Sequence, residues 1–159
     1  MQVHASLARM KRLSVAFFIT LLLPPLGGPA LTQPVVTQPP TSTIIFTPGS
    51  TVSTVNGQMA PGAHDLYYVQ AKVGQTLLVS ITSEGDIAFQ VYTADTTLAK
   101  GADGGPLING KTRANAGVTD HAKAWVGAVA RTGNYLIAVG AGNGGPTGPM
   151  PYGLTVSLQ

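Results

Sequence analysis

No cysteine occurs among the 159 residues, so disulfides, thiolate zinc sites and thiol catalysis are excluded together. Charge is also scarce. Only 9% of residues are charged, against roughly 25% in ordinary soluble domains. Beyond residue 30 the bases are Lys72, Lys100, Lys111, Arg113, Lys123 and Arg131, and the acids are Asp65, Glu84, Asp86, Asp95, Asp103 and Asp120. These six and six cancel, so the net charge of +3 belongs to Arg9, Lys11 and Arg12 near the N-terminus. A neutral body without a basic run lacks the surplus that drives phosphate-backbone binding, and nucleic acid is not expected as a partner. Chemical motifs are missing too. There is no G-x-S-x-G nucleophile elbow, no phosphate-cradling glycine loop leading into a helix, no D-x-D-x-D-G calcium run and no Asn-x-Ser/Thr site. No window combines helical periodicity with capping signals.

What is present begins with a leader. Residues 1–12 are basic, residues 13–23 (LSVAFFITLLL) are apolar, Pro24 and Pro25 stop the run, and Gly28-Pro29-Ala30 offers small residues for cleavage. This pattern predicts a signal peptide over residues 1–30. The apolar run is about half of the roughly 20 residues needed to span a bilayer, so no stable membrane span is expected after cleavage. With no cysteine to lipidate, the expected location is secreted, periplasmic or cell-surface. Residues 31–43 (LTQPVVTQPPTST) read as a disordered Thr/Pro/Gln-rich linker.

From residue 44 short apolar runs alternate with turn residues. Strands are expected at 44–47, 51–59, 65–72, 76–82, 86–93, 96–100, 123–130, 135–140 and 152–158, with 96–100 as hairpin partner of the strand before it. The period-two pattern is plain in DIAFQVYT, where Ile87, Phe89 and Val91 share one face and Ala88, Gln90 and Tyr92 the other. Abundant Gly, Pro, Thr and Val suit tight turns and strands. Eight or nine short strands predict an all-β fold, an antiparallel β-sandwich over residues 44–159. Residues 101–122 and 141–151 are Gly-rich and read as loops, the first an insertion long enough to carry recognition.

The order of several pieces carries a resemblance. Asp65-Leu66-Tyr67-Tyr68 is followed by Ala71-Lys72-Val73-Gly74-Gln75-Thr76-Leu77, then Phe89-Gln90-Val91-Tyr92 with a turn at Asp95. Thr132-Gly133-Asn134-Tyr135-Leu136-Ile137-Ala138-Val139 and Tyr152-Gly153-Leu154-Thr155-Val156 complete the series. Over residues 50–158 the chain resembles the bacterial pre-peptidase C-terminal domain, a secreted β-sandwich of jelly-roll type. The resemblance implies a non-catalytic accessory domain. The chain departs from that pattern in carrying no peptidase and in the 101–122 insertion.

Candidate chemistry is sparse. His64-Asp65 and Asp120-His121 each set an imidazole beside a carboxylate, but neighbours on a strand point to opposite faces, and no positioned serine completes a triad. No catalytic residue is assigned and the chain is not expected to be an enzyme. Tyr68 and Tyr92 are expected to face outward and Trp125 is the single tryptophan, so these three are the candidate ligand-binding aromatics for stacking on a carbohydrate. Glu84, Asp86, Asp95 and Asp103 are the candidate calcium ligands, through loop carboxylates at one end of the strands. The expected function is a secreted non-catalytic binding module, with loops that recognise an extracellular protein or polysaccharide. Two alternatives stand beside it: a self-assembling extracellular structural protein, and a small secreted hydrolase or inhibitor.

Overall fold

A computed structural model describes residues 41–102, 105–141 and 147–159, all within the compact unit Val35–Gln159. The expected signal peptide, residues 31–40 of the linker, Asp103 and residues 142–146 of the second loop lie outside the described residues.

The described chain contains ten strands: β1 (Thr41–Thr43), β2 (Val52–Met59), β3 (His64–Ala71), β4 (Thr76–Ser83), β5 (Ile87–Val91), β6 (Thr97–Lys100), β7 (Pro106–Asn109), β8 (Ala124–Ala128), β9 (Gly133–Ala141) and β10 (Met150–Leu158). They form two four-stranded sheets and a hairpin. Sheet A has the order β1-β3-β9-β5, sheet B the order β2-β10-β4-β8, and β6 pairs with β7. All pairings are antiparallel except the short parallel pair of β1 with β3. The fold is an all-β sandwich, as the alternation predicts, of the jelly-roll type that the resemblance implies.

The two sheets enclose one core. Leu77, Val79 and Ile81 from β4, Ile87, Phe89 and Val91 from β5, and Tyr152, Leu154, Val156 and Leu158 from β10 are buried together. Alternate positions on one strand share a face, so a single register choice per strand commits all of these residues to the interior. The terminal strand β10 lies between β2 and β4, and its edges are therefore paired rather than exposed.

Three expectations are corrected. Residues 41–43, assigned to the linker, form β1, while residues 44–47 form no strand. Ile44 is nonetheless buried, and its amide donates to the Tyr68 carbonyl at 2.8 Å. β6 pairs with β7 and not with β5. The 101–122 insertion is not a free loop among its described residues. Its β7 completes a hairpin whose Leu98 and Ile108 pack on Leu66, Tyr92, Leu136 and Ala138, the outer side of sheet A. Further on it runs along the open edge of β5, where the Arg113 amide donates to the Val91 carbonyl at 2.7 Å and the Val91 amide to the Ala116 carbonyl at 3.0 Å.

One polar network is buried in the sandwich. Tyr152 donates to Asp65 Oδ2 at 2.5 Å, a contact spanning 87 residues of sequence. Its single proton is thereby used, so the 2.6 Å contact between the Tyr67 and Tyr152 hydroxyls has Tyr67 as donor. Asp65 therefore serves a tyrosine distant in sequence. A Cβ on Gly57 would lie 2.4 Å from Tyr152 Cζ, so the ring needs a glycine beneath it. Burial raises the Tyr152 pKa well above the ordinary phenol value, and the bond to Asp65 adds to this. Burial raises Tyr67 as well, with the Asp65 charge adding to it and the Tyr152 bond opposing it.

Tyr152→Phe is expected to cost about 1–3 kcal/mol at neutral pH, because Asp65 and Tyr67 lose their buried partner; urea denaturation measures it. The pH dependence has a definite sign. A phenol with a raised folded pKa contributes stability that is complete below the unfolded value near 10 and is lost as pH rises above it. Wild-type stability should fall steeply above about pH 10, and the Tyr152→Phe curve should be shallower.

Candidate functional site

The sandwich treats its two outer surfaces differently. The outside of sheet A is capped by the β6–β7 hairpin. The outside of sheet B carries no described covering element, and its composition is unusual. Outward positions are Val52, Thr54, Asn56 and Gln58 on β2, Pro151, Gly153, Thr155 and Ser157 on β10, Thr76, Leu78, Ser80 and Thr82 on β4, and Ala124, Val126 and Ala128 on β8. None of them is charged.

Register organises this face into rows. Ser157 lies opposite both Val52 and Leu78, and Leu78 lies opposite Val126, giving a mostly apolar row across all four strands. The next row, Thr54–Thr155–Ser80–Ala124, carries hydroxyls, and the Thr54 and Thr155 hydroxyls lie 3.1 Å apart. A shallow depression of about 640 Å³ follows these rows, lined by Val52, Leu78, Ser80, Val126, Thr155 and Ser157, with Asn115 and Trp125 also on its wall. Val52 is 48% exposed and Val126 62% exposed. No motif marked this surface. The signal available in sequence was the run of uncharged residues at alternate positions of four separate strands.

The three candidate aromatics are all otherwise engaged. Tyr92 is 7% exposed, beneath the hairpin, and its hydroxyl donates to Gln90 Oε1 at 2.5 Å. It is not the outward-facing platform expected; the hairpin covers the face to which alternation assigned it. Burial raises its pKa. Tyr68 is half-buried in the same cluster. Trp125 packs against the core from β8, its ring crossing Gly127. Its Nε1 donates to the Ala114 carbonyl at 2.9 Å, and the Arg113 guanidinium lies 5.8 Å from its ring centroid, within cation–π range.

The candidate calcium ligands are dispersed. Asp86 faces Lys123 at 3.8 Å and Asp95 faces Arg131 at 3.1 Å. The Asp95 pKa is lowered, first by the Thr93 hydroxyl and then by its own amide. Glu84 is exposed in the turn between β4 and β5, and Asp103 lies outside the described residues. Among the described residues no group of three or more His, Asp or Glu side chains is gathered for a metal. His64 and Asp65 diverge as strand neighbours do: Asp65 reaches the buried network and His64 is exposed. No described helix is long and apolar enough to cross a membrane.

The hairpin makes a measurable prediction. Leu98→Ser removes apolar cover from the small cluster under β6 and β7 without adding a charge. It should cost about 2 kcal/mol and return Tyr92 toward the ordinary phenol pKa, because burial is what raises it. Ultraviolet difference titration against wild type reads the change.

No family model matches the chain, and no curated protein does. Solved structures do. A periplasmic inhibitor of g-type lysozyme, PliG of Aeromonas hydrophila, is similar at 23% identity with a TM-score of 0.56, over 77% of this chain and 98% of its own. A PliG mutant from Escherichia coli is similar at 14% identity and 0.53, over 75% and 97%. The pre-peptidase C-terminal domain of a Bacillus anthracis collagenase is also among the matches, at 16% identity and 0.43, over 75% and 96%. At such identities the likeness to the two inhibitors shows a shared sandwich fold.

Proposed function

We propose that this protein is a non-catalytic binding module working outside the cytoplasm, and that it holds a folded protein on the outer face of sheet B, which no described element covers. The observation that carries this reading is the asymmetry of the sandwich. One outer face is capped by the chain's own hairpin, while the other presents the row Val52–Ser157–Leu78–Val126 with no charge on it. Exposed apolar rows rimmed by hydroxyls are typical of protein contact surfaces.

A carbohydrate fits less well. Sugar-binding sandwiches rely on free aromatic faces, and here Tyr92 is buried, Tyr68 is half-buried beside it, and Trp125 is held by Arg113 and the Ala114 carbonyl. Exported location rests on the leader pattern of residues 1–30. The similar structures include periplasmic lysozyme inhibitors, which bind a protein using this fold, and this supports a protein partner. A g-type lysozyme is accordingly the first probe.

Site-specific photo-crosslinking in the native host tests the surface. A photoreactive side chain at Val126 or Val52 should give a discrete adduct with another protein, and the same group at the exposed Thr97 of the hairpin should not. Leu78→Lys should weaken binding by about tenfold or more, about 1.4 kcal/mol, without changing the melting temperature. An adduct of twice the chain mass would point to self-assembly instead. Retention on insoluble polysaccharide that survives Leu78→Lys would defeat the protein-binding reading. Turnover of an ester, peptide or glycoside by pure material would defeat the non-catalytic one.

A further inference from the structure

His64 and His121 are far apart in sequence, yet both line one small depression of about 60 Å³ beside the β3–β9–β5 end of sheet A. Backbone placement explains why they meet. His64 opens β3 opposite Gly140 of β9, and Gly140 lies opposite Ala88 of β5. With no side chain at Gly140 the imidazole lies across it. A Cβ there would be 3.1 Å from His64 Cδ2 and 3.4 Å from Nε2.

His121 lines the same depression from the 117–122 turn. Its φ of +46° puts it in the left-handed region, which histidine visits more readily than most residues. Both flanks are tied down. Asp120 Oδ2 accepts from the Gly117 amide at 2.7 Å, and the Ala122 carbonyl accepts from the Phe89 amide at 3.2 Å. Neither imidazole is engaged by a hydrogen bond or ion pair among the described residues. Two unengaged nitrogen donors are thus held at one depression by anchored backbone.

The geometry points to a two-histidine site for a divalent late first-row transition-metal ion, with Cu²⁺ bound most tightly. Neutral imidazole nitrogen suits copper, nickel and zinc, whereas calcium and magnesium require oxygen sets, and among the described residues no group of three or more His, Asp or Glu side chains is gathered. Affinity follows the order in which Cu²⁺ exceeds Zn²⁺. Among the described residues two imidazoles line the depression, so water or a further donor completes the coordination. The depression has room for the ion and one or two such ligands.

Calorimetric titration of the purified protein with CuCl₂ in chelator-treated neutral buffer should show one saturable Cu²⁺ per chain, weaker Zn²⁺ binding and no competition by Ca²⁺. Electron paramagnetic resonance should report two nitrogen ligands. His64→Ala and His121→Ala should each weaken binding roughly tenfold or more and reduce the nitrogen count to one. Both side chains are exposed, so melting curves should confirm that the variants remain folded. Unchanged copper affinity in either single variant would overturn the site, as would the lack of saturable Cu²⁺ binding by the wild type.

Discussion

Strand β9 is apolar on both faces, and much of the architecture follows from disposing of that surface. Tyr135, Ile137 and Val139 enter the main core, while Leu136 and Ala138 point the opposite way and are equally buried. An antiparallel strand of a simple sandwich needs only one such face; two require a layer on each side. The hairpin of β6 and β7 is that second layer. It places Leu98 and Ile108 over β9 and its neighbours, and in doing so it seals Tyr92 and half-covers Tyr68. Among the described residues the outer surface left open is that of sheet B, whose outward residues are uncharged, and this is the face proposed to bind.

Much of this was legible in the sequence. The alternation in β4, β5 and β10 gave their buried faces residue by residue, because burial on one side imposes period two directly. The two-sided run Tyr135–Val139 was equally visible, and read as a double-faced strand it implies a covering element. The hairpin itself was not legible. β7 is four residues long and opens with Pro106, among glycines that argue for a loop, and its strand character comes from pairing with β6 and packing on β9. β1 is a similar case. Its Thr-Ser-Thr resembles the preceding linker, and only its parallel pairing with β3 makes it a strand.

The candidate sites were harder to read for a related reason. They are made by register between distant strands. Val52, Leu78, Val126 and Ser157 become neighbours only when β2, β10, β4 and β8 are aligned. His64 and His121 come together only because Gly140 is bare and the 117–122 turn runs beside β5. The dyads visible in sequence, His64-Asp65 and Asp120-His121, are divided by the fold. In each the carboxylate serves structure, Asp65 binding Tyr152 and Asp120 the Gly117 amide, which leaves the two imidazoles unoccupied.

Recognition on strands and not on loops, as proposed for sheet B, would have energetic consequences. A loop must be ordered on binding, at about 0.5–1.5 kcal/mol for each rotamer-rich side chain fixed. The sheet-B face has few such side chains: valine, threonine, serine and alanine lose little freedom, and their backbone is already held by ladders on both sides of β10 and β4. Charge contributes little here. The described ion pairs join Lys123 to Asp86 and Arg131 to Asp95, and Arg113 is committed to Trp125 and to the Ala128 carbonyl. A surface of this kind gains affinity from shape and desolvation, with little long-range steering, so discrimination between partners rests on how well a protein surface matches the apolar row and its hydroxyl neighbour.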